Sequence, residues 1–235
     1  MQALGKFKRK LMQKDHLALM FMLLLLNLLN PFVNNHAGAN WILDALFVLV
    51  LLSAASTVAS HKRIFIIILV LGVTAIFSHI SLFVPGLRWI DLTGYVVTPA
   101  FLFLTCGLLL KDIVLRSKEV TRDVIIGAVN VYLMVGVAFA CTYALIEFLQ
   151  PGSFTGMEKL IDSPNSQLFF LYFSFITLTT LGYGDISPLT PVGMSTAYIE
   201  AIFGQLYLAI LVARLVAMYI GNSSKTNETQ NQGPK

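Results

Sequence analysis

The segment TTLGYGD at residues 179–185 is the part of the sequence whose residue types and spacing point to chemistry. Glycine adopts left-handed backbone conformations without steric cost, and Gly182 and Gly184 are separated by one residue. The backbone can therefore alternate between right-handed and left-handed conformations, which points successive carbonyl groups in the same direction. Rings of such carbonyls replace the water shell of a dehydrated cation.

The apolar segments around this turn must position it. Residues 167–180 would form a helix of ~21 Å, too short to cross the ~30 Å hydrocarbon core of a bilayer. We interpret this segment as a helix over 164–179 that enters the membrane and turns back, with Ser163 as N-cap and Pro164 at the first helical position. A final membrane helix is predicted over 192–220.

The composition predicts that a bilayer is the solvent of this chain. Hydrophobic residues make up 57% of the 235 residues and charged residues only 12%, which leaves too little polar surface for a water-soluble fold. Six apolar runs approach the ~20 residues needed to cross a membrane. They are 17–33, 41–60, 64–84, 93–110, 124–149 and 192–220. The predicted fold is an all-α membrane protein with six transmembrane helices and one re-entrant helix with its turn.

The basic residues predict the orientation. With these six spans, 14 of the 16 Lys and Arg residues fall on one side, and only Arg88 and Lys159 on the other. Because basic residues accumulate on the cytoplasmic side, both termini are expected there and the loop between spans five and six outside. The net charge of +4 follows from this topology and gives no reason to expect nucleic acid binding.

Five parts are expected along the chain, and none of them is a folded cytoplasmic regulatory domain. The first apolar run is expected to be retained rather than cleaved as a signal peptide. They are a cytoplasmic N-terminal segment (1–16), a four-helix transmembrane domain (17–110), an interfacial linker helix (111–123), a pore domain (124–221) and a disordered cytoplasmic tail (222–235). A bacterial inner membrane is the expected location.

The motif TTLGYGD resembles the selectivity filter of the potassium-channel superfamily, and the resemblance extends across 124–220. It differs from the commonest form, TTVGYGD, only by Leu181 in place of Val. Bacterial six-transmembrane members with an uncharged fourth helix are the most similar. The resemblance implies a homotetramer of identical subunits in the lipid bilayer, with K⁺ as the permeant ion. It also implies a K⁺ filter formed by Thr180, Leu181, Gly182, Tyr183 and Gly184.

Within the family, side chains behind the filter support it, and we expect Tyr172, Thr179, Asp185 and Glu200 to do so here. Family members often carry two tryptophans where this chain has Tyr172 and Phe173, and the Tyr172 hydroxyl is expected to bond Asp185.

Glu200 lies inside the last span, where a carboxyl group is costly without a partner or water. Some relatives carry a supporting glutamate at the position of Ile176, and Glu200 is a candidate replacement for it. Two interpretations of Glu200 stay open. The acid is either neutral or hydrogen-bonded against the re-entrant helix, reaching Ser174 or Thr177, or it acts directly in conduction.

Gly204 lies 24 residues after Thr180, at the position of the hinge glycine in related inner helices. Glycine costs ~1 kcal/mol relative to alanine inside a helix, so either bending or close packing is expected there. The helical spacing of four further residues predicts that they line the cavity and inner mouth. They are Gln205, Leu208, Val212 and Val216.

Other features of the sequence bear on alternative functions. The fourth span, 93–110, has no basic residue, which predicts that conduction is not steeply voltage-dependent. The sequence has no paired aspartates within spans and no GxSxG or HExxH motif, so an enzyme is not expected. A potassium transport subunit is less favoured, because such proteins carry four mostly degenerate filter loops in one chain. A weakly selective cation channel remains open.

Overall fold

A computed structural model of the chain describes residues 16–29, 40–57, 62–81, 88–113, 121–156 and 166–231. Within these residues the protein is all-helical, as predicted, with one isolated β-bridge between Phe154 and Pro188. The seven helices are α1 His16–Leu29, α2 Asn40–Thr57, α3 Lys62–Ser81, α4 Arg88–Lys111, α5 Arg122–Leu149, α6 Ser166–Leu178 and α7 Pro191–Asn231.

Three of the described helices are long and apolar enough to cross a membrane, judged by length and composition. They comprise Leu92–Lys111 in α4, Arg122–Leu149 in α5 and Pro191–Arg214 in α7. Shorter apolar helices occupy parts of the first three predicted spans and the re-entrant segment, at His16–Leu29, Ile42–Thr57, Ile66–Phe77 and Phe169–Leu178. An apolar helix suits lipid because it satisfies its own backbone hydrogen bonds. The chain is an integral membrane protein.

Helix α5 is the centre of the packing. It contacts α4, α6 and α7, while α2, α3 and α4 pack against one another on the other side. One continuous apolar core runs from α1 to α7. In the apolar stretch of α5, 67% of the residues are buried, against 17% in that of α7. Helix α5 therefore positions α6, whereas most of the apolar stretch of α7 is uncovered in the single chain.

The loop after α5 is fixed to the residues that follow the motif TTLGYGD. The Glu147 carboxylate accepts hydrogen bonds from the backbone N–H groups of Gly152 (2.7 Å) and Ser153 (2.9 Å). The Leu189 N–H then donates to the Ser153 carbonyl at 2.7 Å. The loop thus holds the segment after the motif close to the end of α5.

The expected linker and tail are only partly described by the structure. Residues 114–120 of the expected interfacial linker (111–123) lie outside the described residues, as do Ser163 and Pro164. Within the expected tail (222–235), residues 222–231 continue α7 as a helix to Asn231, and the disorder of the tail stays a prediction. Elongating an existing helix needs no new nucleus, and no proline occurs before that point.

Candidate functional site

The backbone between Thr180 and Gly184 alternates in conformation at every second residue. The φ angles are 58° at Thr180, 53° at Gly182 and 77° at Gly184. Thr180 is the single non-glycine residue with a positive φ in the described part of the chain, so Leu181 and Tyr183 between these positions are not left-handed. This regular alternation aligns successive carbonyls, which makes 179–185 (the filter segment) a candidate cation site.

The sequence did not predict a left-handed threonine. A non-glycine residue in this conformation costs about 1–2 kcal/mol, and two contacts hold Thr180 in it. Its N–H donates to the Thr177 carbonyl at 2.9 Å, and its Oγ1 accepts a hydrogen bond from Gln205 Nε2 at 2.9 Å. The signal available in the sequence was the spacing, because Thr180, Gly182 and Gly184 are alternate residues.

The filter segment begins as a continuation of the end of α6. The N–H groups of Leu181 and Gly182 both donate to the Ile176 carbonyl, at 2.8 Å and 3.2 Å. The side chains of Leu181 and Tyr183 are 56% and 68% exposed in the single chain. The segment therefore has its anchor in α6 and an uncovered outer surface.

Tyr172 and Asp185 meet behind the filter segment. The Tyr172 hydroxyl donates to Asp185 Oδ2 at 2.7 Å, while Asp185 Oδ1 accepts the N–H of Ile186 at 3.1 Å. This contact joins α6 to the C-terminal end of the filter segment.

Thr179 has a different position. Its hydroxyl donates to the Phe175 carbonyl, four residues earlier in α6, at 2.6 Å. The same carbonyl also accepts the backbone N–H of Thr179 at 3.0 Å. Thr179 thus contacts the end of its own helix rather than a neighbouring element.

Glu200 lies fully buried where α5, α6 and α7 meet. One carboxyl oxygen contacts the hydroxyl of Ser174 in α6, and the other accepts a hydrogen bond from the hydroxyl of Tyr143 in α5. Ser174 also donates to the Gly136 carbonyl of α5 at 2.6 Å. The sequence suggested Ser174 as a partner but not Tyr143 or Gly136, because nothing in the sequence indicates which faces of α5 and α7 meet.

Gly204 is a point of close contact between α7 and α6. A Cβ atom at this position would lie 2.0 Å from the carbonyl oxygen of Leu178, the last residue of α6. The same carbonyl accepts a hydrogen bond from the Tyr132 hydroxyl at 3.4 Å. Because α7 continues as a helix through Gly204, the geometry favours close packing over bending as the reason for the glycine.

The four residues after Gly204 that were predicted to line a cavity are exposed in the single chain. Their helical spacing puts them on one side of α7, below the filter segment to which Gln205 is bonded. They are Gln205, Leu208, Val212 and Val216. The candidate site thus combines a carbonyl-bearing turn with an uncovered apolar helix face that begins at the turn.

Comparison with known proteins relates the part of the chain that contains the filter segment to ion channels. Residues 131–220 match the family described as "Ion channel". The chain is 33% identical over 102 residues to two-pore potassium channel 5 of Arabidopsis thaliana, covering 43% of this chain and 21% of that protein. It is 30% identical over 94 residues to the inward rectifier potassium channel Kirbac3.1 of Paramagnetospirillum magnetotacticum, covering 38% of this chain and 28% of that protein. The chain thus spans about a fifth to about a quarter of these relatives, and no solved structure matches it significantly.

Proposed function

We propose that this chain, whose residues 131–220 match an ion-channel family, is a member of the potassium-channel superfamily. Four copies surround one axis and conduct K⁺ passively across a membrane. The chain's similarity to two potassium channels supports the proposal. The carbonyls of Thr180 to Tyr183 and the Thr180 hydroxyl replace the water shell of the ion. Gly184 ends the filter and allows its last left-handed turn. The ion-channel family is not an enzyme class, and no catalytic role is assigned.

The alternating backbone of the filter segment is the observation that carries this proposal. Positive φ angles at Thr180, Gly182 and Gly184 orient successive carbonyls alike. Backbone carbonyls are neutral and short, so they can surround an ion closely without binding it too strongly to leave. A turn that served only to connect two helices would not need three left-handed residues at alternate positions.

The exposure of α7 supports assembly from identical subunits. Only 17% of its apolar stretch is buried in one chain, and the filter segment has side chains uncovered on its outer surface. A single filter segment cannot surround an ion. Four chains around a common axis would cover these surfaces and complete the carbonyl rings.

The end of α6 contributes to the electrostatics of the proposed pathway. The C-terminal end of a helix carries a partial negative charge because its peptide dipoles are aligned along the axis. In the tetramer, four α6 helices would direct these ends at a central cavity lined by Gln205, Leu208, Val212 and Val216, which stabilises a cation there. Tyr172, Thr179, Asp185 and Glu200 hold α6 and the filter segment in place.

The proposed membrane arrangement has six transmembrane helices in each subunit. Both termini are cytoplasmic because the basic residues cluster on that side. A bacterial inner membrane is the proposed location.

The test is the reversal potential of the purified full chain in planar bilayers with K⁺ on one side and Na⁺ on the other. We expect a reversal potential far from zero with the K⁺ side negative, because K⁺ would cross much more readily than Na⁺. A reversal potential near zero would instead identify a weakly selective cation channel. Flux that required a second, coupled ion or ATP would identify a transport subunit, and either result would overturn the proposal.

A further inference from the structure

Three fully buried side chains share hydrogen bonds at the junction of α5, α6 and α7. They are Tyr143 of α5, Ser174 of α6 and Glu200 of α7, each 0% exposed. The partners that the structure gives the two oxygens of Glu200 are both hydroxyl groups. An ionised carboxylate at this depth is costly unless a cation or water accompanies it, so the position of each proton in this cluster matters.

The proton of Ser174 can be assigned first. Its Oγ lies 2.6 Å from the carbonyl oxygen of Gly136, which is a normal distance for an O–H···O hydrogen bond. A carbonyl oxygen has no proton to give, and a serine hydroxyl has one. The contact is therefore the donation from Ser174 to Gly136, and it uses the only proton that Ser174 has.

The remaining contacts then determine the state of Glu200. Ser174 Oγ is also at hydrogen-bond distance from Glu200 Oε1, and because its own proton is used, the proton in this contact comes from Glu200. The Tyr143 hydroxyl donates to Oε2, which is left as the carbonyl oxygen of the acid. We infer that Glu200 is a neutral carboxylic acid and the middle donor of a directional chain from Tyr143 through Glu200 and Ser174 to Gly136.

This chain of hydrogen bonds links three helices with every proton used once. It begins and ends on α5, at Tyr143 and Gly136, and passes through α7 and α6. If Glu200 were ionised, it would require the Ser174 proton, and the oxygens of Ser174 and Gly136 would face each other without one. Glu200 is thus a positioning residue for α6. Its effect on the filter rests on the proposed function, whereas its protonation does not.

The direct test is infrared difference spectroscopy of the purified full chain, wild type against Glu200→Gln. A protonated carboxyl group has a C=O stretching band that an ionised carboxylate lacks. We expect the wild type to show such a band, shifted in deuterium oxide, and Glu200→Gln to lose it. Loss of carboxylate bands in its place would show that Glu200 is ionised and would overturn the inference.

A second pair of variants keeps the test decisive if Glu200→Gln fails to assemble. Ser174→Ala removes the acceptor of the Glu200 proton, so the C=O band should move to higher frequency. Thr177→Ala, one turn further along α6, is the matched control and should leave the band in place. A band that moves in neither variant, or equally in both, would contradict the assigned chain.

The positioning role has its own readout. Glutamine can reproduce both bonds of a neutral acid, donating from its amide nitrogen to Ser174 and accepting at its oxygen from Tyr143. Glu200→Gln should therefore retain the tetramer and the filter open time, whereas Glu200→Ala should lose both. If Gln were as damaging as Ala, the anchoring role would be abandoned. A wild type that carries the infrared band but fails to select K⁺ would overturn only the proposed function.

Discussion

Backbone conformation decides the shape of the filter segment at the scale of single residues. A Cβ atom at Gly182 or Gly184 would have open space in the single chain. These glycines are therefore needed for their positive φ angles rather than for room. Thr180 adopts the same conformation with a side chain, and its contact with Gln205 shows how the cost is offset. The glycines could be predicted from the sequence, whereas Thr180 could not, because its conformation depends on a partner 25 residues away.

We predict that Gly182→Ala abolishes selection of K⁺ over Na⁺. Alanine resists the left-handed conformation at φ 53° by about 1–2 kcal/mol in each subunit. The relaxed backbone should turn the carbonyl of residue 182 out of its ring. The measurement is the reversal potential under mixed K⁺ and Na⁺, which should move toward zero.

Gly152→Ala is the matched control for this variant. Gly152 has φ 84° and open space around its Cβ position, but it lies in the loop after α5 and is not part of the filter segment. The same local backbone cost should lower stability by a similar amount and leave the reversal potential unchanged. Equal loss of selectivity in both variants would mean that general destabilisation, not carbonyl orientation, is responsible.

We predict that Gln205→Leu weakens ion binding at the innermost filter site. The change keeps the size of the side chain but removes the donor to Thr180 Oγ1, a bond that contributes about 0.5–1.5 kcal/mol. Block by internal Ba²⁺, an ion close to K⁺ in size, should change in affinity by about fivefold. Leu208→Met, on the same helix face, is the control. A similar effect of both variants would assign the change to the cavity lining.

At the scale of helices, α5 holds the pore elements through a series of polar contacts along one face. Tyr143 bonds Glu200, Gly136 accepts from Ser174, Tyr132 reaches the end of α6, and Ala128 accepts from the Tyr207 hydroxyl at 2.7 Å. Three of these contacts pair buried polar groups, and the one from Tyr132 is part-buried. A buried polar group left unpaired costs about 1–3 kcal/mol. Together they fix the depth and rotation of α6 and α7 against α5.

These contacts mark the limit of what could be predicted from the sequence. Length and apolarity predict helices, and the short segment before a glycine-rich turn predicts α6. The bond between Tyr143 and Glu200 joins residues 57 positions apart, and that between Ala128 and Tyr207 residues 79 positions apart. Such pairs depend on which helix faces meet, and apolar helices carry little amphipathic pattern to indicate this.

We predict that Gly204→Ala destabilises the protein by about 1–3 kcal/mol, because the new methyl group would overlap the Leu178 carbonyl. The measurement is thermal unfolding of the purified full chain. If the glycine served only to bend α7, alanine would instead raise helix stability by about 1 kcal/mol.

Gly107→Ala provides the control for this prediction. Gly107 lies inside α4, and nothing lies within 4 Å of its Cβ position. Alanine there should be neutral or stabilising by about 1 kcal/mol, through helix propensity alone. If the Gly204→Ala and Gly107→Ala variants unfolded at the same temperature, close packing would be ruled out as the reason for Gly204.

At the scale of the whole molecule, burial differs between α5 and the elements proposed to form the pore, α7 and the filter segment. Helix α5 is largely covered by its own chain, whereas α7 and the filter segment are not. This division is expected when the first helices of each subunit surround a shared centre built from the last ones. The fold of one chain therefore supplies a quarter of the proposed site. The helices α1–α4 pack against this part of the chain through the contact between α4 and α5.

The last prediction concerns the response of this assembly to voltage. Helix α4 has basic residues only at its ends, Arg88 and Lys111, and none between them. A charge that moves through the membrane field gains about 2.3 kcal/mol per 100 mV, so a helix without internal charge has little to drive it. We expect a shallow conductance–voltage curve and no measurable gating current when the full chain is recorded in bilayers. A curve as steep as that of a channel with several gating charges per subunit would contradict this prediction and would require a voltage sensor elsewhere in the chain.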